Sequence, residues 1–180
     1  MNYQQHKREW INCKRCHLFR QRNKVVLLRG KIPCDILFVG EAPGISEDII
    51  GMPFIGPSGK LLDQIIEEAK TVYLEKPDLR VAFTSLVACI PKDKNGDKIH
   101  EPDIKCIKRC SKRLRSVIKL TKPSAIISVG QLAKKHIPSD IETQFANIIH
   151  PAAILRLDVS QQSLAIHRCI VEIQEVVKNF

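Results

Sequence analysis

Four short apolar runs alternate with amphipathic helical stretches, and that order confines the chain to a small set of α/β folds. The runs cover residues 35–39, 81–87, 125–129 and 145–149. The first and third stop at Gly40 and Gly130, as buried parallel strands do. Between them, Leu61, Leu62, Ile65 and Ile66 recur at helical spacing behind Ser58, which reads as a helix cap. A basic helix is expected over about residues 103–120, a short one over 131–136, and an amphipathic one over 163–180 with Ile166, Ile170, Ile173 and Val177 on one side. Residues 1–30 read as irregular or loosely helical. The expectation is one domain over residues 1–180, a three-layer α/β/α sandwich around a central, mainly parallel four-stranded sheet.

The charge balance narrows the partner. Lys and Arg outnumber Asp and Glu by 29 to 19, for a formal charge of +10, and a surplus of that size suits a polyanion such as nucleic acid. Seven cysteines, an odd number, without a secretory signal are better read as metal ligands or buried thiols than as disulfides. No apolar run reaches the ~18 residues of a membrane span, so no membrane partner is expected and an intracellular setting is. A monomer is expected, since no heptad pattern marks a dimer seam.

Parallel sheets bind ligands beyond the carboxyl ends of their strands. The Gly40 loop, Ser85 and His150 all fall there. The loop reads GEAPG, then SED, then GMPFIGPSGKLLD through Asp63. A carboxylate directly after a strand, Glu41, can position water or stabilise a cationic transition state. Phe54 can stack on a planar base, and Ser58 and Gly59 at a helix start can offer N–H groups to phosphate. Singly, each has a plainer role as loop charge, core anchor or cap.

In this order, the loop resembles the first motif block of the family 4, iron–sulfur uracil-DNA glycosylases of the uracil-DNA glycosylase superfamily. The segment IHPAAILR, residues 149–156, resembles the second block, and with the cysteines the likeness runs from Cys13 to Arg156. The resemblance implies a monofunctional glycosylase that hydrolyses the N-glycosidic bond of deoxyuridine in single- or double-stranded DNA, the first step of base excision repair. It implies that Glu41 and His150 are catalytic, and that Glu41, Ala42, Pro43, Phe54, Ser85 and His150 bind uracil. It further implies that Ser58, Gly59 and Arg156 contact DNA, and that Ile154 or Leu155 wedges into the helix as the nucleotide flips out.

Cys13-x-x-Cys16 alone is a weak signal. The resemblance adds Cys89 after the second strand and one cysteine from the next helix, where Cys106 and Cys110 stand one turn apart. Cys110 fits better, because the phrase around it lies thirteen residues ahead of Pro123, as the family spacing has it. Cys13, Cys16, Cys89 and Cys110 suit a [4Fe-4S] cluster, with zinc as the alternative. Cys34 and Cys169 read as buried thiols. Lys105, Lys108, Arg109, Lys112, Arg113 and Arg115 make the same helix a candidate phosphate-contacting face.

The chain departs from the family pattern in three places. Ser85 stands where an Asn usually reads the base edge, and a hydroxyl cannot pair with two base-edge atoms as an amide can. Only nineteen residues separate Gly130 from His150, and the Cys89–Cys110 gap is long, with the loop over residues 91–102 as an insertion. Ala42 occupies the place of the Gln found in covalent-trapping relatives, so covalent capture is not expected. Ser85 keeps two alternatives open: a DNA-binding, replication-accessory module with weakened catalysis, or a glycosylase of altered base specificity.

Overall fold

The computed structural model describes residues 2–73, 78–93 and 98–178, so residues 94–97 of the expected insertion lie outside the described residues. In chain order the elements are α1 (Tyr3–Trp10), β1 (Arg29–Gly30), β2 (Ile36–Gly40), α2 (Ile45–Ile50), α3 (Pro57–Glu68), β3 (Val81–Ser85), α4 (Ile104–Thr121), β4 (Ala125–Val129), α5 (Gln131–His136), β5 (Gln144–Ile148), α6 (Pro151–Ile154) and α7 (Val159–Lys178). A 3₁₀ turn (His17–Arg20) follows α1, and a π-helical turn (Ala69–Tyr73) extends α3.

The sheet has five strands in the order β1-β3-β2-β4-β5. The four expected strands pair in parallel; the fifth, β1, was not foreseen and lies antiparallel against β3. Two residues cannot show a hydrophobic period, which is why β1 is silent in the sequence. Alternation along β2 sends Ile36 and Phe38 into one core and Leu37 and Val39 into the other. On the first side pack Leu62, Ile65 and Ile66 of α3, Ile154 of α6, and Ile170, Ile173 and Val177 of α7. On the second side pack Trp10 of α1, Leu114 and Val117 of α4, and Ala133 of α5. Each such side chain contributes about 1.5–3 kcal/mol on burial, so both layers hold the sheet.

Register sets where the site forms. Gly40 lies opposite Ser85, and Val129 lies opposite Ile148, so the loops after β2, β3, β4 and β5 leave one edge of the sheet together. Ser58 is not the cap of α3: Gly56 is the N-cap and Pro57 the first helical residue, an arrangement favoured by the fixed φ of proline. Arg113 also departs from the expected basic face of α4. It is fully buried, while Lys105, Lys108, Arg109, Lys112 and Arg115 remain exposed. No described helix is long and apolar enough to cross a membrane.

Candidate active site

A cavity of about 750 Å³ opens at the carboxyl ends of the strands. Its lining includes Glu41, Ala42, Pro43, Phe54, Ser58, Gly59, Ser85, His150 and Arg156, so nine of the predicted site residues share one space. Two glycines make the convergence possible. A Cβ on Gly40 would lie 2.5 Å from Phe54 Cζ. A Cβ on Gly130, whose φ is +93°, would lie 2.9 Å from Glu41 Oε1 and 3.3 Å from His150 Cβ. Glu41 and His150, distant in sequence, therefore flank the same bare backbone.

Phe54 itself holds a left-handed backbone, φ 55°, which costs a bulky residue energy and persists only where its surroundings enforce it. Glu47 supplies much of that enforcement. Its Oε1 accepts from the N–H groups of Ile55 (2.9 Å) and Gly56 (2.8 Å), and its Oε2 from Gly44 N–H (3.1 Å). Arg29 adds a second clamp, donating to Pro53 O (2.9 Å) and bidentately to Asp63 (2.8 and 3.0 Å). Asp63, the last residue of the loop motif, thus secures the turn that carries Phe54. Asp48, fully buried, accepts from Asn23 N–H at 2.9 Å and from its side-chain amide at 2.7 Å, fixing the far end of the loop. Glu47, Arg29 and Asp48 carried no role in the sequence reading, because their partners are backbone groups and distant residues that no spacing reveals.

Two ionisable groups of the cavity, Glu41 and His150, are tuned in opposite directions. Burial, with Glu101 nearby, raises the Glu41 carboxyl above its ordinary value. Burial, with Arg156 nearby, lowers the His150 imidazole below its own. His150 also caps α6, its Nδ1 accepting from Ala152 N–H at 3.1 Å. A neutral imidazole that accepts at Nδ1 carries its proton at Nε2, leaving that N–H as a donor. Ile99, His100, Glu101 and Pro102, from the inserted loop, line the cavity as well. Of the two wedge candidates, Ile154 is 0% exposed and locked in the core, whereas Leu155 is 44% exposed at the rim. Burial removes Ile154 from that role.

The cysteines gather on the other side of the sheet's end. Arg22 Nη1 donates to Cys13 O (2.7 Å) and to Cys89 Sγ (3.3 Å). The Cys89 thiol is pushed up to about 11, mainly by burial, and Cys110 and Cys16 add to the rise while Arg22 opposes it. Cys13, Cys16 and Cys110 pack on the core that contains Cys89. Cys106 turns toward His17 (Sγ to Nδ1 3.6 Å) and also touches Cys16. His17 Nε2 in turn faces Asp103 Oδ2 at 3.7 Å, so His17, Asp103 and Cys106 form a metal-capable group beside the thiols.

A family model described as the uracil DNA glycosylase superfamily matches residues 27–169. The chain belongs to that superfamily. Among curated relatives, the type-4 uracil-DNA glycosylase of Sulfurisphaera tokodaii is 37% identical over 79% of this chain and 60% of its own length. That of Saccharolobus solfataricus is 37% identical over 66% of this chain and 51% of its own. The chain thus spans between half and two thirds of these relatives. The crystal structure of wild-type SMUG2 from Pedobacter heparinus superposes with a TM-score of 0.59 at 14% identity, covering 81% of this chain and 76% of that one, which shows a shared fold. The matched region begins at Leu27, so it includes the cavity and not the Cys13–Cys16 segment.

Proposed function

We propose that the chain is a monofunctional DNA glycosylase that excises uracil by hydrolysis of the N-glycosidic bond. The observation that carries this reading is the meeting of Glu41 and His150 over Gly130 in a cavity that also holds Phe54. Phe54 would stack on the flipped base. As the glycosidic bond breaks, its electron pair leaves with uracil, and the His150 Nε2–H would donate to the carbonyl oxygen where negative charge grows. Removal of one such donor costs about 100- to 1,000-fold in rate. The Glu41 carboxylate would orient water and accept its proton as the water oxygen bonds to the sugar carbon. Leu155 would fill the space left in the duplex, with Ser58, Gly59 and Arg156 near the phosphates.

The donor set of Cys13, Cys16, Cys89 and Cys110 fits a [4Fe-4S] cluster: four thiols from three chain segments, one buried, with the Arg22 cation to offset thiolate charge. When bound, such a cluster supplies an iron–thiolate cross-link between the N-terminal segment, the loop after β3 and α4. The residues of this chain carry the hydrolysis.

An assay on oligonucleotides with one deoxyuridine, single- and double-stranded, tests the reading. Alkali-labile abasic sites are expected from the parent and not from Glu41→Gln. Intact strands after incubation with iron-replete protein would refute it, and salt-sensitive DNA binding without base release would favour the accessory-module alternative that Ser85 raises.

A further inference from the structure

Behind the cavity floor lies a buried cation. Arg113, on α4, is 0% exposed, and among the described residues no carboxylate forms an ion pair with it. Its Nη1 donates to Thr84 Oγ1 at 2.7 Å, and the Thr84 hydroxyl donates onward to Leu27 O at 2.7 Å. Its Nη2 donates to the carbonyls of Ser85 and, at 3.1 Å, Leu86. Its Nε has no partner among the described residues. His6, which packs nearby from α1, is pushed down to about 4 by burial and by the Arg113 charge, so it stays neutral.

A guanidinium buried without a counter-charge carries a desolvation cost that hydrogen bonds to neutral groups offset only in part. The compensation lies in where the charge points. Strand alternation puts Thr84 and Leu86 on the Arg113 side and Phe83 and Ser85 on the cavity side. The carbonyls of Ser85 and Leu86 reach Arg113, while the N–H groups of Leu86 and Val87 bond Gly40 O (2.8 Å) and Glu41 O (3.3 Å). The strand end that forms the floor is thereby held from both sides. A single backbone separates the guanidinium from the cavity.

We propose that Arg113 is a positioning residue for the cavity floor, fixing Ser85 and supplying the unneutralised positive potential that favours a pyrimidine anion in the cavity. This deepens the glycosylase reading and rests on it: uracil departs as an anion, and a fixed cation across one strand lowers the energy of that state more than of the neutral ground state. Across one strand, at an effective dielectric near 20, one fixed unit charge is worth about 10- to 30-fold in rate.

The test compares Arg113→Met, which keeps the bulk and removes the charge, with Arg113→Lys, which keeps the charge and loses the planar fork. Single-turnover excision from uracil oligonucleotides should fall about 10- to 30-fold in Arg113→Met, with KM within about threefold and Tm lowered, because the Ser85 and Leu86 carbonyls lose a buried donor. Arg113→Lys should recover most of the rate. A second measurement needs no turnover: binding of free uracil, followed as pH rises through the ionisation of the base. Affinity for the ionised base should exceed that for the neutral base in the parent, and the preference should vanish in Arg113→Met. The buried amine of Arg113→Lys should give up its proton as pH rises and lose the preference with it. Unchanged kcat in Arg113→Met, or equal losses of rate and stability in both variants, would overturn the proposal. A parent that releases no uracil but binds its anion in an Arg113-dependent way would remove the glycosylase reading and leave the buried cation's role standing.

Discussion

The Phe54 ring stands on Gly40: a methyl at residue 40 would lie 2.5 Å from ring Cζ, inside any permitted contact. The last residue of β2 and the aromatic turn of the loop are therefore one packing unit. Gly40→Ala must push the ring out or shift the strand, and overpacking of this kind costs about 1–3 kcal/mol. The expected result is a folded protein with a lowered Tm and excision down about 10- to 100-fold, because the proposed stacking of the ring on the base would be lost. Thermal melts and single-turnover rates check it; full activity in Gly40→Ala would mean the ring is free to move without consequence.

The opposed tuning of Glu41 and His150 fixes the sign of the pH dependence. In the proposed mechanism Glu41 acts as a carboxylate, and burial and Glu101 hold its pKa above the usual range, so activity should climb with pH through that raised value. In the same mechanism His150 acts as a neutral Nε2–H donor, and its lowered pKa favours that neutral form. Both groups should therefore give a rising limb on the acid side. A falling limb near neutral pH that disappears in His150→Gln would instead mark an imidazolium as the working form. Stability carries the same signs separately. The depressed His150 contributes stability that is present above its unfolded pKa and lost as pH falls through its folded one. The raised Glu41 contributes stability that is full below its unfolded pKa and lost as pH rises through its folded one. Glu41→Gln should accordingly melt no lower than the parent at neutral pH while losing excision.

β2, β3 and β4 were legible because burial on both faces writes continuous apolar runs, and β4 matches its run residue for residue. The loop motif carried the cavity, since Glu41, Phe54 and His150 each follow a strand end or a glycine that the sequence displays. What stayed hidden has a common cause. Glu47 and Arg29 act on backbone groups, Gly56 replaces Ser58 as the cap by loop geometry, and Ile154 and Leu155 differ only in which way a short helix turns them. Arg113 was hidden by company, sitting in a run of basic residues. Its signal was present all the same, for it falls on the stripe of Cys106, Ile107, Cys110, Leu114 and Val117 that faces the core.

Glu47 accepts three backbone N–H groups that otherwise lack partners, so its removal should be felt in the loop before the core. Charge-assisted bonds of this type are worth about 1.5–3 kcal/mol each where buried, and less in a half-exposed loop, so Glu47→Ala should cost about 2 kcal/mol in all. Amide exchange at Ile55 and Gly56 should speed up while exchange in β2 and β4 does not. Glu47→Gln keeps an acceptor oxygen and should retain more of the activity. Uniform acceleration across the sheet would assign Glu47 a global role instead.

The two cysteines of α4 make different predictions. Cys110 acts on the Cys89 thiol, whereas Cys106 packs against His17 and Cys16. Cys110→Ser should yield colourless protein with little bound iron. Cys106→Ser should stay brown with iron close to the parent. Iron content measured on anaerobically purified protein decides between them, and the opposite pattern would move the fourth ligand to Cys106.

Ser85 lies opposite Gly40 at the cavity floor, and in the proposed reading its hydroxyl meets a base edge that presents a donor and an acceptor side by side. An amide at this position satisfies two adjacent base atoms at once, and a site that hydrogen-bonds its substrate rejects analogues far more strongly than a merely apolar pocket does. Ser85→Asn is therefore expected to raise the preference for uracil over cytosine and thymine by about tenfold or more, the worth of one additional well-formed hydrogen bond. Relative kcat/KM on matched oligonucleotides measures this. The backbone at residue 85 is held by Arg113 from behind and by its pairing with Gly40, so the new side chain enters a floor that does not yield. An unchanged ratio would show that base selection comes from His150 and the Glu41–Pro43 backbone alone.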